Sequence, residues 1–454
     1  MNLLTVKLKI FWLLSTTTNQ RIIMLTETTH TTMPDWNHLQ RVSFRFFFIY
    51  FVLYIFPFPL YYIPGVAVLG GYFSTMMESI TLWFGSSIFG ITETIDSASN
   101  GSGDRLFSFV SMYTNVIIAL VGCIIWSFVD FRRKSYHKLL SYLSVYVRYL
   151  LAATLLSYGF SKVFTNQFSE MGLTDLLKPY GESSPMGLMW NFMEFSDSYT
   201  MFSGVSEVLG GVFLLWRRTL ILGALFTAGV MLNVFVMNMS YDIPVKLYSA
   251  HLMLMGLFLL VLDGKRILNF LIFNKAVVAK KIAPYFKKKG LRIGGLVFKY
   301  VFIIFIFYSH ISGAYEGQRK WGKKAPKPAL YGIYEVEEFV WNNDTLPPLK
   351  TDSIRWDKLV VDKYSTVVYH MDGKKRYYKN ITDTLTNKLF LSSYRDDSSK
   401  NYHDLLYTSK DSLFYLNGCK GLDSLRIKFS IKKREDFLLL NRGFHWVNDY
   451  PFNR

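Results

Sequence analysis

Long apolar runs with charged connections fill the chain up to Ile311, and short alternating polar and apolar runs fill the remainder. About seven of the long runs approach the ~20 residues a helix needs to cross a bilayer. They lie near Phe44 to Ile63, Leu106 to Val129, Leu139 to Phe164, Met201 to Trp216, Leu220 to Asn238, Pro244 to Leu262 and Ile293 to Ile311. An eighth stretch, Val66 to Ile91, holds Gly70-Gly71 and a central Glu78, which favours a helix lying on or dipping into the membrane surface. Beyond a Lys/Pro linker at Lys320 to Pro328 the period changes. Ser424 to Lys432 alternates strictly and reads as a half-buried strand, with Asn417-Gly418 as a hairpin signal before it. Similar runs at Lys358 to Met371, Lys375 to Lys379 and Lys388 to Tyr394 predict a small antiparallel β-barrel or sandwich.

The fold class expected is therefore a mainly α-helical polytopic membrane bundle with an added β domain. Its parts are a 1–43 extension, a helical domain at 44–314, a linker at 315–332 and a β domain at 333–454. The extension is Thr- and Asn-rich, and its apolar run Ile10 to Leu14 falls short of a signal-peptide core. It reads as flexible, or as an upstream start error with Met24 or Met33 as alternative starts.

Composition agrees with two kinds of domain. Apolar residues make up 51% and charged ones 19%, too greasy for an ordinary soluble domain and too charged for bare spans. The formal charge of +18 is explained by basic loops rather than by nucleic acid, since no zinc spacing or RNA-binding signature accompanies it. Arg41 and Arg45, Arg132 to Lys138, Arg217-Arg218 and the run Lys265 to Arg292 alternate with loops bearing Glu78 to Asp104, Glu170 to Asp197, and Asp242. The positive-inside rule then places the N-terminus and basic loops in the cytoplasm and everything after Ile311, the β domain included, outside it. Cys123 and Cys419 occupy settings too different for a disulfide, and no C-x-x-C pattern or metal-ligand spacing occurs.

Ionisable residues inside apolar runs are the strongest functional signal, because a charge in hydrocarbon costs several kcal/mol. With a rise of 1.5 Å per residue, Lys162, Glu207, Asn238, Asp242 and His251 fall near one depth in the outer half of the membrane. They form the candidate intramembrane polar site. Arg148 shares a helical face with Lys162 but lies toward the cytoplasmic side, where anchoring is its simplest role. Each also has an ordinary reading: Lys162 snorkelling to headgroups, Glu207 as pairing glue, His251 as a hydrogen-bonded core residue. Gly210-Gly211 is first a packing feature. In the β domain His370, His403 and His445 are scattered, and Phe444, Trp446 and Phe452 are expected to close its apolar core.

Arg148-Tyr149, Tyr158-Gly159-Phe160-Ser161-Lys162, Glu207-Val208-Leu209-Gly210-Gly211 and Asn238 to Leu247 with His251 together resemble the DoxX-like family of bacterial membrane proteins. The resemblance runs over about 139–264 and implies a four-helix membrane core with Arg148, Gly159, Gly210 and Gly211 as motif anchors. It also implies a link to quinone-coupled oxidoreductase complexes, including those that oxidise thiosulfate. Two-electron reduction of a quinone takes up two protons, so Glu207 and His251 would serve as donors and Lys162 would steady a developing oxyanion. Any redox centre would belong to a partner subunit, because this chain supplies no haem or iron–sulfur ligand set. The competing expectation is a non-enzymatic lipid- or small-solute-binding, transport or scaffold protein whose polar cluster is structural.

Overall fold

The structure, a computed structural model, describes residues 35–63, 65–278, 285–393, 403–410 and 413–453. The expected N-terminal features through Met33, the middle of the Lys265 to Arg292 run, and Tyr394 lie outside the described residues. The chain divides into two compact units, one running through Ser99 with Arg105–Val147, the other comprising Asn100–Asp104 and Arg148–Arg454.

The first unit contains α1 (His38–Ile55), α2 (Ala67–Ser87), α3 (Leu106–Val129) and the beginning of α4 (His137–Val163). Helix α1 starts six residues earlier in the sequence than the apolar run at Phe44, at a capping box. There the Asn37 side chain accepts from the Gln40 amide at 2.8 Å and the Gln40 side chain accepts from the Asn37 amide at 3.0 Å. Arg45 is buried in α1 and donates to the Asp130 carbonyl at 3.0 Å, to Ser127 Oγ at 2.8 Å and to the Tyr136 hydroxyl. It thus satisfies the C-terminal end of α3, whose last carbonyls have no partner within their own helix.

The second unit continues α4 and adds α5 (Leu173–Leu176), α6 (Pro185–Phe195), α7 (Asp197–Leu214), α8 (Leu220–Ser240), α9 (Lys246–Val261), α10 (Gly264–Leu271), α11 (Lys289–Lys320) and α12 (Leu438–Asn441). Among the described residues five helices are long and apolar enough to cross a membrane: α1 with its following turn, α3, α4, α8 and α11; α9 and α10, bent by 78°, make a sixth if read as one span. The Met201 to Trp216 run folds as α7 up to Leu214, and that helix is not in the group. Its Ser203, Gly204, Ser206, Glu207, Gly210 and Gly211 dilute its apolar character. Helix α2 is likewise outside the group. Helix α11 continues to Lys320, so the chain leaves helical structure later than residue 314.

The β domain is a closed antiparallel barrel. Its strands are β1 (Gly332–Trp341), β2 (Asp344–Thr345), β3 (Trp356–Val361), β4 (Thr366–His370), β5 (Lys375–Asp383), β6 (Lys388–Ser393), β7 (His403–Lys410), β8 (Leu413–Lys420) and β9 (Asp423–Lys432). Strands β3 to β9 follow β1 in sequence order, the short β2 adds to β1, and β1 pairs with β9 to complete an eight-stranded ring. In β9 Leu425, Ile427 and Phe429 are buried while Arg426 and Lys428 face outward, the period of two expected for a half-buried strand. Phe339, Leu359, Leu389, Leu405, Leu416 and other apolar side chains fill the interior, as eight strands allow.

Two expectations are corrected here. Asn417-Gly418 is not a turn: both residues lie inside β8, paired with Leu406 and Leu405, and the reversal comes at Gly421, whose φ of 64° suits glycine. At Gly418 a side chain would collide with the Asp404 carbonyl oxygen, so this glycine serves strand approach. Nor does the terminal segment close the core, since Phe444, Trp446 and Phe452 are 77%, 91% and 45% exposed. The β1–β9 pairing already closes the barrel and leaves those rings no core to enter.

The outer face of the barrel packs on the connection between α4 and α6. Leu173 forms a small core with Ile333 and Val360. The Asp362 carboxylate accepts from the Leu173 amide at 2.8 Å, and Arg434 bridges Glu170 at 3.2 Å while donating to the Met171 carbonyl.

Candidate functional site

Helices α4 and α7 cross through glycines. A Cβ placed on Gly159 would stand 2.8 Å from the Gly204 carbonyl oxygen and 2.9 Å from the Val208 nitrogen. One placed on Gly204 would stand 2.7 Å from the Gly159 carbonyl oxygen and 3.0 Å from the Val163 nitrogen. The obstacles are backbone atoms, so neither helix can admit a side chain there without moving. Further along, Gly211 meets the Ala152 carbonyl oxygen at 3.1 Å, while Gly210 sits at ordinary distance from Leu155 and Thr227. These contacts set Thr200, Gly204, Glu207, Gly211 and Leu214 on one buried face of α7.

One turn beyond the crossing, Lys162 Nζ lies 2.7 Å from Glu207 Oε1 and 2.8 Å from Oε2. The two side chains are 7% and 1% exposed. Lys162 therefore turns inward to a carboxylate rather than snorkelling outward, with its ammonium also 5.8 Å from the Tyr158 ring centroid. Toward the other end of the same crossing Arg148 donates to the Leu214 and Leu215 carbonyls at 2.9 and 3.3 Å. It satisfies the end of α7 as Arg45 satisfies the end of α3. Sequence reading marked Arg45 only as a loop charge; its burial among aromatic neighbours was the available clue.

The remaining candidates sit on α8, α9 and the turn between them. Asn238 is buried and donates to Ser249 Oγ at 3.0 Å. His251 is buried, with Nδ1 at 2.7 Å from the Leu247 carbonyl oxygen one turn earlier. Asp242 departs from the expected intramembrane cluster. Its side chain is 85% exposed, its φ is 52°, and it pairs with Lys246 at 2.8 Å. It sits in the turn between α8 and α9, where an exposed Asp tolerates the left-handed conformation that the reversal requires. The acidic group serving the start of α9 is instead Asp104, which accepts from the Lys246 and Leu247 amides at 2.8 and 2.9 Å.

Outside the apolar helices, a cleft of about 280 Å³ is lined by Glu170, Glu194, Asp197, Lys323, Arg434 and Glu435, among others. Burial, reinforced by nearby Asp175 and opposed by Arg434, pushes the Glu194 carboxyl up to about 7. In the barrel the histidines are not all scattered. His370 at the end of β4 and His403 at the start of β7 occupy the same end of the interior and influence each other electrostatically, whereas His445 is exposed. Burial, together with Lys420, His370 and Arg376, lowers His403 to about 3. Among the described residues no group of three or more His, Cys, Asp or Glu could hold a metal ion. Both cysteines are free, Cys123 buried and Cys419 exposed.

Fold and site define a class: a set of apolar helices with a buried ion pair at a glycine crossing, followed by a closed antiparallel barrel. Over 122 residues the chain is 33% identical to the Bacillus subtilis (strain 168) protein described as "Uncharacterized protein YwoB", a match spanning 27% of this chain and 77% of that protein. The chain belongs to the family of that protein. No family model matches the chain, and no solved structure matches it.

Proposed function

We propose that this chain is a DoxX-like, multi-pass inner-membrane protein that serves as the membrane component of a quinone-coupled oxidoreductase or respiratory complex. The observation that carries the reading is the Lys162–Glu207 pair, buried between helices in the apolar part of the molecule. An acid and a cation held there are the groups needed to bind a quinone carbonyl and deliver a proton to it. In this reading the basic loops face the cytoplasm and the barrel faces the periplasm. Contact of the barrel with the acidic α4–α6 connection supports that orientation, since both were assigned to the outer side on charge alone. The complete chain purified in mild detergent should retain quinone or redox subunits, and Glu207→Gln should release the quinone while leaving the protein inserted. Absence of both from the wild-type preparation would reject the assignment. Orientation is tested by an impermeant maleimide on intact cells, which should label the exposed Cys419.

A second reading, a non-enzymatic lipid- or solute-binding or scaffold protein, is favoured by one detail. Lys162 engages both oxygens of Glu207, the geometry of a clasp rather than of a free acid. Under that reading Lys162→Met with Glu207→Gln keeps full function, because exchanging a buried pair for neutral groups leaves no lone charge.

A further inference from the structure

The barrel holds a polar cluster at one end that its own residues do not satisfy. His403 is 1% exposed and His370 5%. Both ring nitrogens of His403 are buried without a hydrogen-bond partner, and those of His370 lack one of good geometry, the Ile354 backbone being the group that acts on that ring. The His403 ring is fixed between Trp356 and Tyr378, each at 5.6 Å between centroids and edge-on. Alternation places Lys420 on the same inner face, because His403 pairs with Lys420 across β7 and β8 and Phe414 and Leu416 of that strand point into the core. Arg376 stands nearer solvent, two positions before the inward Tyr378 and opposite the inward Val368. The entry from solvent to imidazole is therefore lined by cations.

We infer that this end of the barrel is a binding site for a small oxyanion, a carboxylate or phosphate group, received by the His370 and His403 rings with Lys420 and Arg376 supplying the countercharge. A buried donor without an acceptor is costly, so native interiors normally pair such groups; each neutral imidazole carries one N–H donor, and an oxyanion supplies the acceptor it lacks. A metal ion fits less well. Two imidazoles are too few ligands, and Lys420 and Arg376 both act on His403 in the direction that opposes added positive charge. The acidic groups near the cluster have other engagements: Asp372 pairs with Lys374 at 2.8 Å and Asp423 accepts from Asn342 at 2.8 Å. Trp356 and Tyr378 offer aromatic walls to any organic part of the ligand. The site is independent of the quinone assignment, since it lies in the barrel and uses none of the helical residues.

The test uses the complete chain in detergent with a trifluoromethyl label on the exposed Cys419, the neighbour of Lys420; Cys123 is buried. The fluorine resonance is followed during titration with inorganic phosphate, sodium acetate, sodium laurate, phosphatidylglycerol vesicles and, separately, zinc chloride. A saturable shift with phosphate, acetate or laurate assigns a free anion, and one confined to the vesicles assigns a lipid headgroup. Either should weaken at least tenfold in Lys420→Gln and in Arg376→Gln, changes at half-buried and exposed positions that spare the core. His403→Phe should abolish the shift while the barrel remains folded by circular dichroism. Lack of saturation with all four anionic probes, a shift indifferent to these variants, or saturation by zinc alone would overturn the inference.

Discussion

The helical part and the barrel both bury ionisable side chains, and they treat them in opposite ways. Lys162 and Glu207 are buried together and compensate each other within hydrogen-bonding distance. His370 and His403 are buried beside cations, and both ring nitrogens of His403 are unpartnered. The first arrangement closes on itself, so its residues hold helices together whatever else they do. The second is open, and remains tolerable because a histidine, unlike a lysine or glutamate, can be buried neutral. Burial alone is therefore a poor guide to function; what matters is whether the buried group has been given its partner.

Removing one member of the closed pair should have the largest effect. Glu207→Ala strands an ammonium between α4 and α7 and should cost about 3–5 kcal/mol in thermal or denaturant unfolding, whereas Lys162→Met with Glu207→Gln should cost far less. Equal losses in the single and double variants would mean that the pair is not what holds the crossing.

In the barrel the corresponding lever is pH. His403 is ordinarily near 6.5 and is held at about 3 in the fold, so its contribution is intact above pH 6.5 and is lost as pH falls toward 3. Acid should remove on the order of 3 kcal/mol from the barrel between pH 6.5 and pH 4, and His403→Phe should flatten the dependence. A barrel equally stable at pH 7 and pH 4 would contradict this account.

The crossing itself is tested at Gly204. A valine there meets backbone at 2.7 and 3.0 Å, and overpacking of this kind costs about 1–3 kcal/mol. Gly229, whose added Cβ would meet nothing within 4 Å, should accept alanine without loss, so the contrast separates packing from helix propensity.

The smallest effect is expected in the cleft beside the barrel. Glu194 is raised from 4.5 to about 7, so the fold favours its protonated form. Its destabilising charge is absent below pH 4.5 and complete above pH 7, the reverse of the usual carboxylate. The group is partly solvated, so Glu194→Gln should raise stability at pH 8 by only about 1 kcal/mol and change nothing at pH 4. An unchanged difference between wild type and variant across that range would remove Glu194 from consideration as a titrating group.

Much of this was legible along the chain. Apolar runs announced the helices and strict alternation announced β9, because burial on one face imposes a period of 3.6 or 2 on the sequence. Less legible were positions where the same residue serves different ends. Asn417-Gly418 has the composition of a turn, yet Gly418 is needed where strands approach; the two uses share one requirement, the lack of a side chain. Asp242 lies only four residues beyond Asn238 but past the end of α8, so it is exposed in the turn while Asn238 is buried in the helix. Trp446 and Phe444 are apolar enough for a core that had already closed without them.

The order of helices before barrel, the glycines available for close approach and the supply of buried acids and bases were determined by the sequence alone, because each depends on local residue type or period. Which groups meet was decided only in three dimensions. Lys162 reaches Glu207 because Gly159 and Gly204 let two backbones touch, and His370 finds His403 because the β1–β9 pairing curls distant strand ends around one interior. A partner tens of residues away leaves no periodic trace in the chain, so its identity emerges with the packing that brings it near.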